Sequence, residues 1–497
     1  MKKIKFPTAH SILMLIALFV AGLTWLVPAG KYDTLSYNSD NQSFEIQSVE
    51  GVKTINASQE ELDALDILIP LENFTRGAIY KPINIPNTYK QIEENPQGFV
   101  DFLMAPLKGI EGTIDIILLV LIIGGLIGIV NATGAFEAGI ASLAQALKGR
   151  EYILIMLVTV LVAIGGTTFG LEEETIAFYP ILIPIFLAAR YDALVAVACI
   201  YLGSSIGTLA STVNPFSVII ASNAAGINWT TGFTGRALML ITGMIISIWY
   251  ILHYAKKIQK DPTKSIIYSQ HNEIAALFPT IKNNAQKLTT KLKLVLVVFS
   301  LAFVVMVIGV SKLHWWFYEM TAIFLVAAVL IGIISKMKEA LFIDTFMSGA
   351  ADLLGVAFII GIARGVTVLM DAGLISDTLL YYASTLTKGM NSGVFASSLM
   401  GVYSGLSFFI PSSSGMAVLT MPIMAPLADG IGVGREIVVN AYLFGMGLFK
   451  VINPTGLILA SLAIVKVGYD KWLKFVWRLL LILTIFCIVF LTVMVMI

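Results

Sequence analysis

Two segments 239 residues apart decide the fold: S-I-G-T-L-A-S-T-V-N-P-F-S at residues 205–217 and F-G-M-G-L-F-K-V-I-N-P-T-G at residues 444–456. Each contains an Asn-Pro pair inside an apolar stretch long enough to cross a bilayer. A proline within a membrane helix removes a backbone donor and frees carbonyl groups, which lipid cannot satisfy. Broken helices at matching places in two halves of a chain are typical of secondary transporters, whose binding sites lie at the breaks.

The composition indicates a membrane protein. Of 497 residues, 57% are hydrophobic and 13% are charged, and the mean hydropathy is +0.87, which is more apolar than a soluble domain. The net charge of +1 gives no reason to expect a nucleic-acid partner. Cys199 and Cys487 both lie in apolar segments, so we expect neither a disulfide framework nor a metal cluster. No histidine lies where it would serve a buried nucleophile, and we do not expect an enzyme.

Runs of about 20 apolar residues predict about nine spans in an all-α polytopic membrane protein. Lys2, Lys3 and Lys5 precede the first run, but it ends without a small-residue cleavage pattern, so we expect a retained span rather than a signal peptide. Pro215 and Pro454 break two of the spans. The predicted spans lie near residues 10–29, 113–133, 191–228, 237–255, 292–311, 315–335, 351–371, 436–468 and 475–497.

The distribution of lysines predicts the orientation in the cell (cytoplasmic) membrane. Residues 256–293 carry eight lysines against one Asp and one Glu, and the N-terminus is also basic, so both are predicted to be cytoplasmic. The polar stretch 31–98 carries eleven acidic against five basic residues and is predicted to lie outside. Counting spans then places the C-terminus on the extracytoplasmic side.

Two apolar segments, 151–189 and 391–428, do not fit as simple spans. Polar residues and glycine interrupt each one near its middle, at 165–174 and 404–415. Each arm is about 15 residues, which is short for a crossing, and no charged loop separates the arms. The pattern favours two re-entrant helical hairpins with tips inside the membrane.

The 239-residue offset also relates the two hairpins, because it superposes Gly166 on Gly405 and Asn214 on Asn453. An odd number of crossings separates the halves, so we expect an inverted repeat. The predicted organisation is a first span (1–30), an extracytoplasmic insertion (31–98), the rest of the first repeat (99–256), a cytoplasmic linker (257–291), a connecting span (292–314) and the second repeat (315–497). Hairpin 151–189 and broken helix 191–228 belong to the first repeat, and hairpin 391–428 and broken helix 436–468 to the second.

Three local motifs resemble those of a known family: Phe6-Pro7-Thr8-Ala9-His10, Gly170-Leu171-Glu172-Glu173-Glu174-Thr175 and Phe178-Tyr179-Pro180. With the paired Asn-Pro breaks, they make the chain similar to the C4-dicarboxylate anaerobic carrier family, YfcC-like branch, of the ion transporter superfamily. The resemblance implies an inverted-repeat, elevator-type secondary transporter that is commonly a homodimer. Some members of this branch are described as arginine/ornithine exchangers, so the family name leaves the substrate open.

Three consecutive acids, Glu172, Glu173 and Glu174, lie at the first hairpin tip. A charged side chain at the bilayer centre costs roughly 2.5–3.5 kcal/mol. Acids in the first turn of a helix gain only about 0.3–1 kcal/mol from the macrodipole. The macrodipole alone therefore does not explain them, which leaves a hydrated tip or a cation-binding role. Adjacent helical positions diverge by about 100°, so at most two of the three acids face one ligand.

The second hairpin tip has the opposite chemistry. Pro411 is predicted to start a helix, and Ser412, Ser413 and Ser414 follow with hydroxyl and free backbone N–H groups. Such groups serve either ordinary helix capping or the binding of a carboxylate. An acidic tip that faces a carboxylate-binding tip suits a cationic amino acid at both ends.

The first break offers oxygen ligands for a cation. Ser211, Thr212 and Asn214, with Thr167 of the neighbouring tip, supply the hydroxyl, amide and carbonyl oxygens that Na⁺ prefers. In the second half Lys450 takes the position of Ser211, and its ammonium group would repel a cation. Lys450 is then a built-in cation, a partner for a glutamate, a ligand for the substrate carboxylate, or a side chain that reaches to the membrane interface.

Arg364 lies in the middle of the span 351–371, with Gly365 beside it. Arginines at such depth usually pair with an acid or a carbonyl. We expect a structural ion pair with Asp371 or Asp352 rather than a contact with substrate.

Together these features predict a secondary active transporter for a small carboxylate-bearing solute, with a basic amino acid as the first choice. The alternative is a C4-dicarboxylate carrier coupled to Na⁺ or H⁺, and a more remote one is a gated channel. The predicted partners of the transporter are the solute, a coupling ion or counter-substrate, the lipid bilayer and a second copy of the chain. No cofactor is expected apart from the candidate Na⁺. The predicted substrate-binding residues are Glu172, Glu173, Glu174, Thr168, Ser412, Ser413, Ser414, Asn453 and Lys450.

Overall fold

The computed structural model describes residues 7–146, 148–278, 288–313 and 315–496. Lys2, Lys3 and Lys5, which support the predicted cytoplasmic N-terminus, and the linker residues 279–287 lie outside the described residues. Most of the described chain is helical.

The helices up to the linker include long apolar ones separated by short turns. Residues Glu173–Phe178 form a 3₁₀ helix and Pro215–Ile219 a π-helical turn. The α-helices are α1 (Ala9–Leu23), α2 (Gln59–Ala64), α3 (Leu71–Thr75), α4 (Phe99–Glu111), α5 (Ile114–Ala132), α6 (Ala135–Ala146), α7 (Tyr152–Thr168), α8 (Tyr179–Ala188), α9 (Ala193–Leu209), α10 (Ile220–Ala224) and α11 (Phe233–Lys260).

The chain after α11 is also mainly helical. It begins with two 3₁₀ turns, Pro262–Lys264 and Tyr268–Gln270. The α-helices are α12 (His271–Leu277), α13 (Thr290–Leu313), α14 (Phe317–Ile334), α15 (Glu339–Asp352), α16 (Leu354–Ala372), α17 (Ser376–Thr387), α18 (Ser392–Phe409), α19 (Ser413–Asp429), α20 (Arg435–Lys450), α21 (Ile458–Ile464) and α22 (Tyr469–Met496).

The insertion 31–98 contains β-sheet, so the prediction of an all-α chain is wrong for this segment. Its apolar residues alternate along the strands, which places Leu35 and Phe44 on one face, where they pack with Leu62 and Phe74 in a small core. One antiparallel pair joins β1 (Gly30–Lys31) to β6 (Lys90–Gln91). A four-stranded sheet has the order β4-β3-β2-β5, built from β2 (Thr34–Asn38), β3 (Ser43–Ser48), β4 (Gly51–Asn56) and β5 (Ile83–Asn84).

Seven helices of the described chain are long and apolar enough to cross a membrane: α5, α11, α13, α14, α16, α18 and α22. Six of them coincide with predicted spans, and the seventh, α18, is an arm of a predicted hairpin. The predicted first span appears as the 15-residue helix α1. The two spans predicted to be broken end their first helices at Leu209 and Lys450.

The two halves pack their helices in matching ways. Helix α4 packs on α16 and α5 packs on α15, while α7 packs on α9 and α18 packs on α20. Glycines allow the close approach, since a Cβ on Gly109 would lie 2.2 Å from the carbonyl oxygen of Gly361. A Cβ on Gly349 would likewise lie 2.4 Å from the carbonyl oxygen of Gly124.

The helices sort into two groups by their packing. Helices α7–α11 and α18–α22 pack mainly on one another, and we call them the hairpin group. Helices α1, α4, α5 and α13–α16 form the frame group, and the 12-residue helices α6 and α17 lie between the groups in the sequence of both halves. The candidate site lies where the two groups and the insertion meet.

Candidate functional site

The first tip joins α7 to the 3₁₀ helix through residues 169–172. The backbone N–H groups of Phe169, Gly170 and Leu171 all donate to the carbonyl of Gly165 at 3.1–3.2 Å, which folds the chain sharply. Gly170 has φ +79°, a left-handed conformation that glycine adopts without a steric penalty. The Ser204 hydroxyl donates to the carbonyl of Leu171 at 2.6 Å and fixes the tip to α9.

The second tip joins α18 to α19 through residues 410–412. The Ser412 hydroxyl caps α19 by accepting from the backbone N–H of Gly415 at 3.2 Å. The Tyr442 hydroxyl donates to the carbonyl of Ser413 at 2.8 Å, which ties this tip to α20. The backbone N–H groups of Ser413 and Ser414 have no acceptor among the described residues, so they remain available to an anion.

The asparagine of the first break links the broken helix to the first hairpin. The Asn214 side-chain amide donates to the carbonyl of Gly166 at 3.1 Å, and its oxygen accepts from the backbone N–H of Phe216 at 2.9 Å. Asn214 is buried. The residue therefore supports both the turn at Pro215 and the end of α7.

The asparagine of the second break makes the same two contacts. The Asn453 side-chain amide donates to the carbonyl of Ser407 at 2.9 Å, and its oxygen accepts from the backbone N–H of Thr455 at 3.0 Å. The Thr455 hydroxyl also donates to the Asn453 side-chain oxygen, at 2.7 Å. Both breaks are thus fastened to their hairpins by an equivalent amide.

Both tips and both breaks open on one cavity of about 370 Å³. The frame group contributes Asp115 and Arg364 to its lining, and the insertion contributes Lys81. The cavity combines groups from segments far apart in sequence, which is typical of a small-molecule site.

The three glutamates of the first tip have different partners. The Lys450 ammonium lies 2.8 Å from the Glu172 carboxylate and donates to the Thr208 hydroxyl at 3.1 Å. The Glu174 carboxylate accepts from the backbone N–H of Glu172 at 3.1 Å. Glu173 lines the cavity without an ion pair among the described residues. Glu172 is therefore the one glutamate of the three with an ion pair among the described residues, and Glu173 and Glu174 line the cavity without one.

Two cations lie beside the second tip. The Lys81 ammonium donates to the Ser414 hydroxyl at 2.8 Å. Burial and the positive charge of Arg364 lower the pKa of Lys81. Arg364 forms no ion pair with any residue that the structure describes, so the expected structural pair with Asp371 or Asp352 is absent and its guanidinium lines the cavity instead.

The backbone carbonyls at the two breaks differ in their hydrogen bonding. In the second break, Tyr201 donates to the carbonyl of Lys450 at 2.9 Å and Trp472 to that of Val451 at 2.9 Å, while the Tyr469 hydroxyl donates to that of Ile452. In the first break, the carbonyls at positions 211–213 receive no hydrogen bond from the described part of the chain. The carbonyls of the first break thus have no donor among the described residues, whereas each carbonyl of the second break has one.

The predicted site residues occupy two layers. Six of the nine predicted substrate-binding residues line the cavity, namely Glu172, Glu173, Glu174, Ser412, Ser413 and Ser414. Lys450 and Asn453 lie behind it, and the Thr168 hydroxyl donates back to the carbonyl of Ile164. Of the candidate Na⁺ ligands Asn214 lines the cavity, while Thr167, Ser211 and Thr212 are buried behind it.

The sequence interpretation did not identify Lys81, Asp115 and Thr455 as cavity residues. Thr455 follows Asn453-Pro454 directly, so its position at the break was a usable signal. Asp115 opens an apolar helix and Lys81 lies in a polar insertion, which are ordinary places for a charge. Their roles depend on tertiary structure.

Comparisons with known proteins identify the family. A model described as C4-dicarboxylate anaerobic carrier matches residues 6–496. An uncharacterized protein of Haemophilus influenzae is 43% identical over 479 residues, which are 96% of this chain and 94% of that protein. The putative basic amino acid antiporter YfcC of Escherichia coli is 28% identical over 492 residues, with 94% of this chain and 92% of that one covered.

Among solved structures, the YdaH transporter of Alcanivorax borkumensis is 12% identical with a TM-score of 0.39, and 98% of each chain is covered. A TM-score of this size carries no conclusion about the fold. The family model and the Haemophilus relative, by contrast, both extend over nearly the whole chain. The chain therefore belongs to the C4-dicarboxylate anaerobic carrier family of membrane transporters.

Proposed function

We propose that this protein is a secondary transporter of a bipolar solute, and that a basic amino acid such as arginine or ornithine is its substrate. The observation that supports this is the charge arrangement of one cavity. Lys81, Arg364 and the free N–H groups of α19 lie at the second tip and suit a carboxylate. Glu173 lies at the first tip without an ion pair among the described residues and suits a cationic side chain.

A basic amino acid satisfies both tips at once. A second carboxylate near Glu173 would bring two like charges together in a poorly hydrated place, which is unfavourable. The printed name of the Escherichia coli relative, a putative basic amino acid antiporter, supports the same class of substrate.

A C4-dicarboxylate is the second candidate, and the pair Lys81 and Arg364 favours it. Two cations without ion pairs in the described chain are able to bind two carboxylates, as the family description suggests. Glu173 would then hold a coupling proton or cation instead of the substrate.

The proposed transport movement is an elevator displacement of the hairpin group against the frame group. Each group packs mainly within itself, and α6 and α17 link the two groups in the two halves. We infer an inverted repeat in a homodimer in the cytoplasmic membrane, with the N-terminus cytoplasmic and the C-terminus and insertion outside. The matching packing of the two halves supports the repeat.

The first break is the proposed Na⁺ site. The carbonyls at positions 211–213 and the hydroxyls of Thr167, Ser211 and Thr212 are a set of hard oxygen donors, which is the chemistry that Na⁺ prefers. Asn214 extends this set to the cavity wall. A cation there would place its charge behind the first tip and stabilise the acids near the substrate.

Counterflow of labelled arginine in proteoliposomes tests the substrate. We expect internal arginine or ornithine to accelerate uptake, since only a carrier is stimulated from the opposite side. Glu173→Gln should weaken arginine binding about ten- to a hundredfold, because a charge-assisted hydrogen bond is lost. Glu50→Gln is the control, since Glu50 pairs with Lys90 in the insertion and does not line the cavity. Tight succinate binding without any arginine response would contradict the proposed substrate.

A further inference from the structure

Lys81 reaches the cavity from the insertion, which is anchored to both sides of the site. It lies two residues before β5, whose Asn84 pairs with Thr34 of β2. The Asn84 side-chain amide donates to the Asp377 carboxylate of α17 at 3.2 Å. On the other side, the Asn73 side-chain amide donates to the carbonyl of Asn223 in α10 at 3.2 Å. The position of the lysine is therefore fixed by sheet pairing and by two docking contacts.

Neither Lys81 nor Arg364 has an ion-pair partner among the described residues. Its ammonium contacts the Ser414 hydroxyl, which is neutral, and it forms no ion pair within the described chain. Arg364 lines the same cavity without an ion pair, and the positive end of the 17-residue helix α19 begins at Ser413. Lys81 and Arg364 repel each other, so a carboxylate bound between them and the start of α19 would stabilise all three positive groups.

We propose that Lys81 is a specificity-determining residue, by which the insertion supplies the transport site with a cation that recognises the carboxylate of the solute. This inference rests on the proposed function of the cavity as the transport site. It gives the insertion a part in substrate selection. It also separates recognition of the carboxylate at the second tip from recognition of the side chain at Glu173.

Binding of arginine and agmatine to the purified full-length protein tests the inference, because agmatine is arginine without the carboxylate. Lys81→Gln keeps a hydrogen-bond donor but removes the charge, and Lys81→Arg keeps the charge. Lys90→Met is the matched control, since Lys90 belongs to the same insertion and pairs with the exposed Glu50 at 3.3 Å. We expect Lys81→Gln to weaken arginine binding at least about tenfold and to leave agmatine binding unchanged. Lys81→Arg should retain most of the arginine affinity, and Lys90→Met all of it.

Equal weakening of arginine and agmatine by Lys81→Gln would mean that Lys81 only holds the insertion in place, and would overturn the inference. Unchanged arginine affinity would overturn it as well. If the wild-type protein binds succinate instead of arginine, the proposed substrate is wrong. A loss of succinate affinity in Lys81→Gln but not in Lys90→Met would then still support the inference, and unchanged succinate affinity would overturn it. A protein that binds none of these solutes overturns both proposals.

Discussion

The two Asn-Pro breaks have the same framework and opposite chemistry. Asn214 and Asn453 bind their hairpins through equivalent hydrogen bonds, so the architecture of each break is alike. The first break leaves three carbonyls without donors in the described chain, whereas the second has a donor for each and a lysine beside them. The same kind of helix break therefore occurs in two forms. In the open form the carbonyls lack hydrogen-bond donors, and in the closed form each carbonyl has one.

The difference lies in a few side chains. Tyr201, Tyr469 and Trp472 donate to the carbonyls of the second break. At the positions related to these by the 239-residue offset stand Asn440, Thr230 and Phe233, which are shorter side chains or have no donor. The ammonium of Lys450 then places a fixed positive charge 2.8 Å from Glu172, on the opposite hairpin. The second break therefore has a permanent cation where we propose that the first binds an exchangeable one.

Of the changes predicted here, removal of the Lys450 ammonium should lower the free energy of unfolding most. Lys450→Met leaves the Glu172 carboxylate, whose side chain is 29% exposed, without its partner. Breaking a buried ion pair from one side costs about 3–5 kcal/mol, and partial exposure places the expected loss of unfolding free energy near the lower figure. Denaturation in mixed micelles measures this loss.

The double variant Lys450→Met/Glu172→Gln should recover most of the stability, because no charge is left unpaired. Lys90→Met is the control, since its ion pair with Glu50 is largely exposed and should cost little. If Lys450→Met is as stable as the wild type, the Lys450–Glu172 ion pair does not stabilise the second break, and this difference from the first break is lost.

Alanine variants of Asn214 and Asn453 test which properties the two breaks share and which differ. Asn214→Ala and Asn453→Ala each remove one amide that donates to a hairpin carbonyl, so we expect similar losses of about 1–3 kcal/mol in unfolding free energy. Only Asn214→Ala should also abolish the stabilisation of the protein by Na⁺, measured as the shift in melting temperature with added NaCl against choline chloride. Equal loss of the Na⁺ response in both variants would remove the proposed asymmetry.

The sequence is sufficient to predict the breaks and the polar tips, because proline and glycine act locally on the backbone. It does not predict how Glu172, Glu173 and Glu174 divide their roles, since that depends on the distant Lys450. It also does not predict the sheet of the insertion or the reach of Lys81, which pairs with Ser414 across 333 positions of sequence. Local signals fix where the chain turns, and tertiary contacts fix which charges remain free.

The smallest expected effect concerns one donor of the closed break. Tyr201→Phe removes the hydroxyl that donates to the carbonyl of Lys450 and keeps the ring, which is almost fully buried. That carbonyl still accepts from the backbone N–H of Asn453 at 3.3 Å, so it is not left without a partner. We therefore expect a loss of about 1 kcal/mol in unfolding free energy, the usual net value of one hydrogen bond.

Tyr381→Phe is the control, because the Tyr381 hydroxyl has no hydrogen-bond partner among the described residues. If Tyr201→Phe costs no more than Tyr381→Phe, the aromatic donors fill space at the second break without stabilising its carbonyls, and Lys450 alone would keep a cation from binding there.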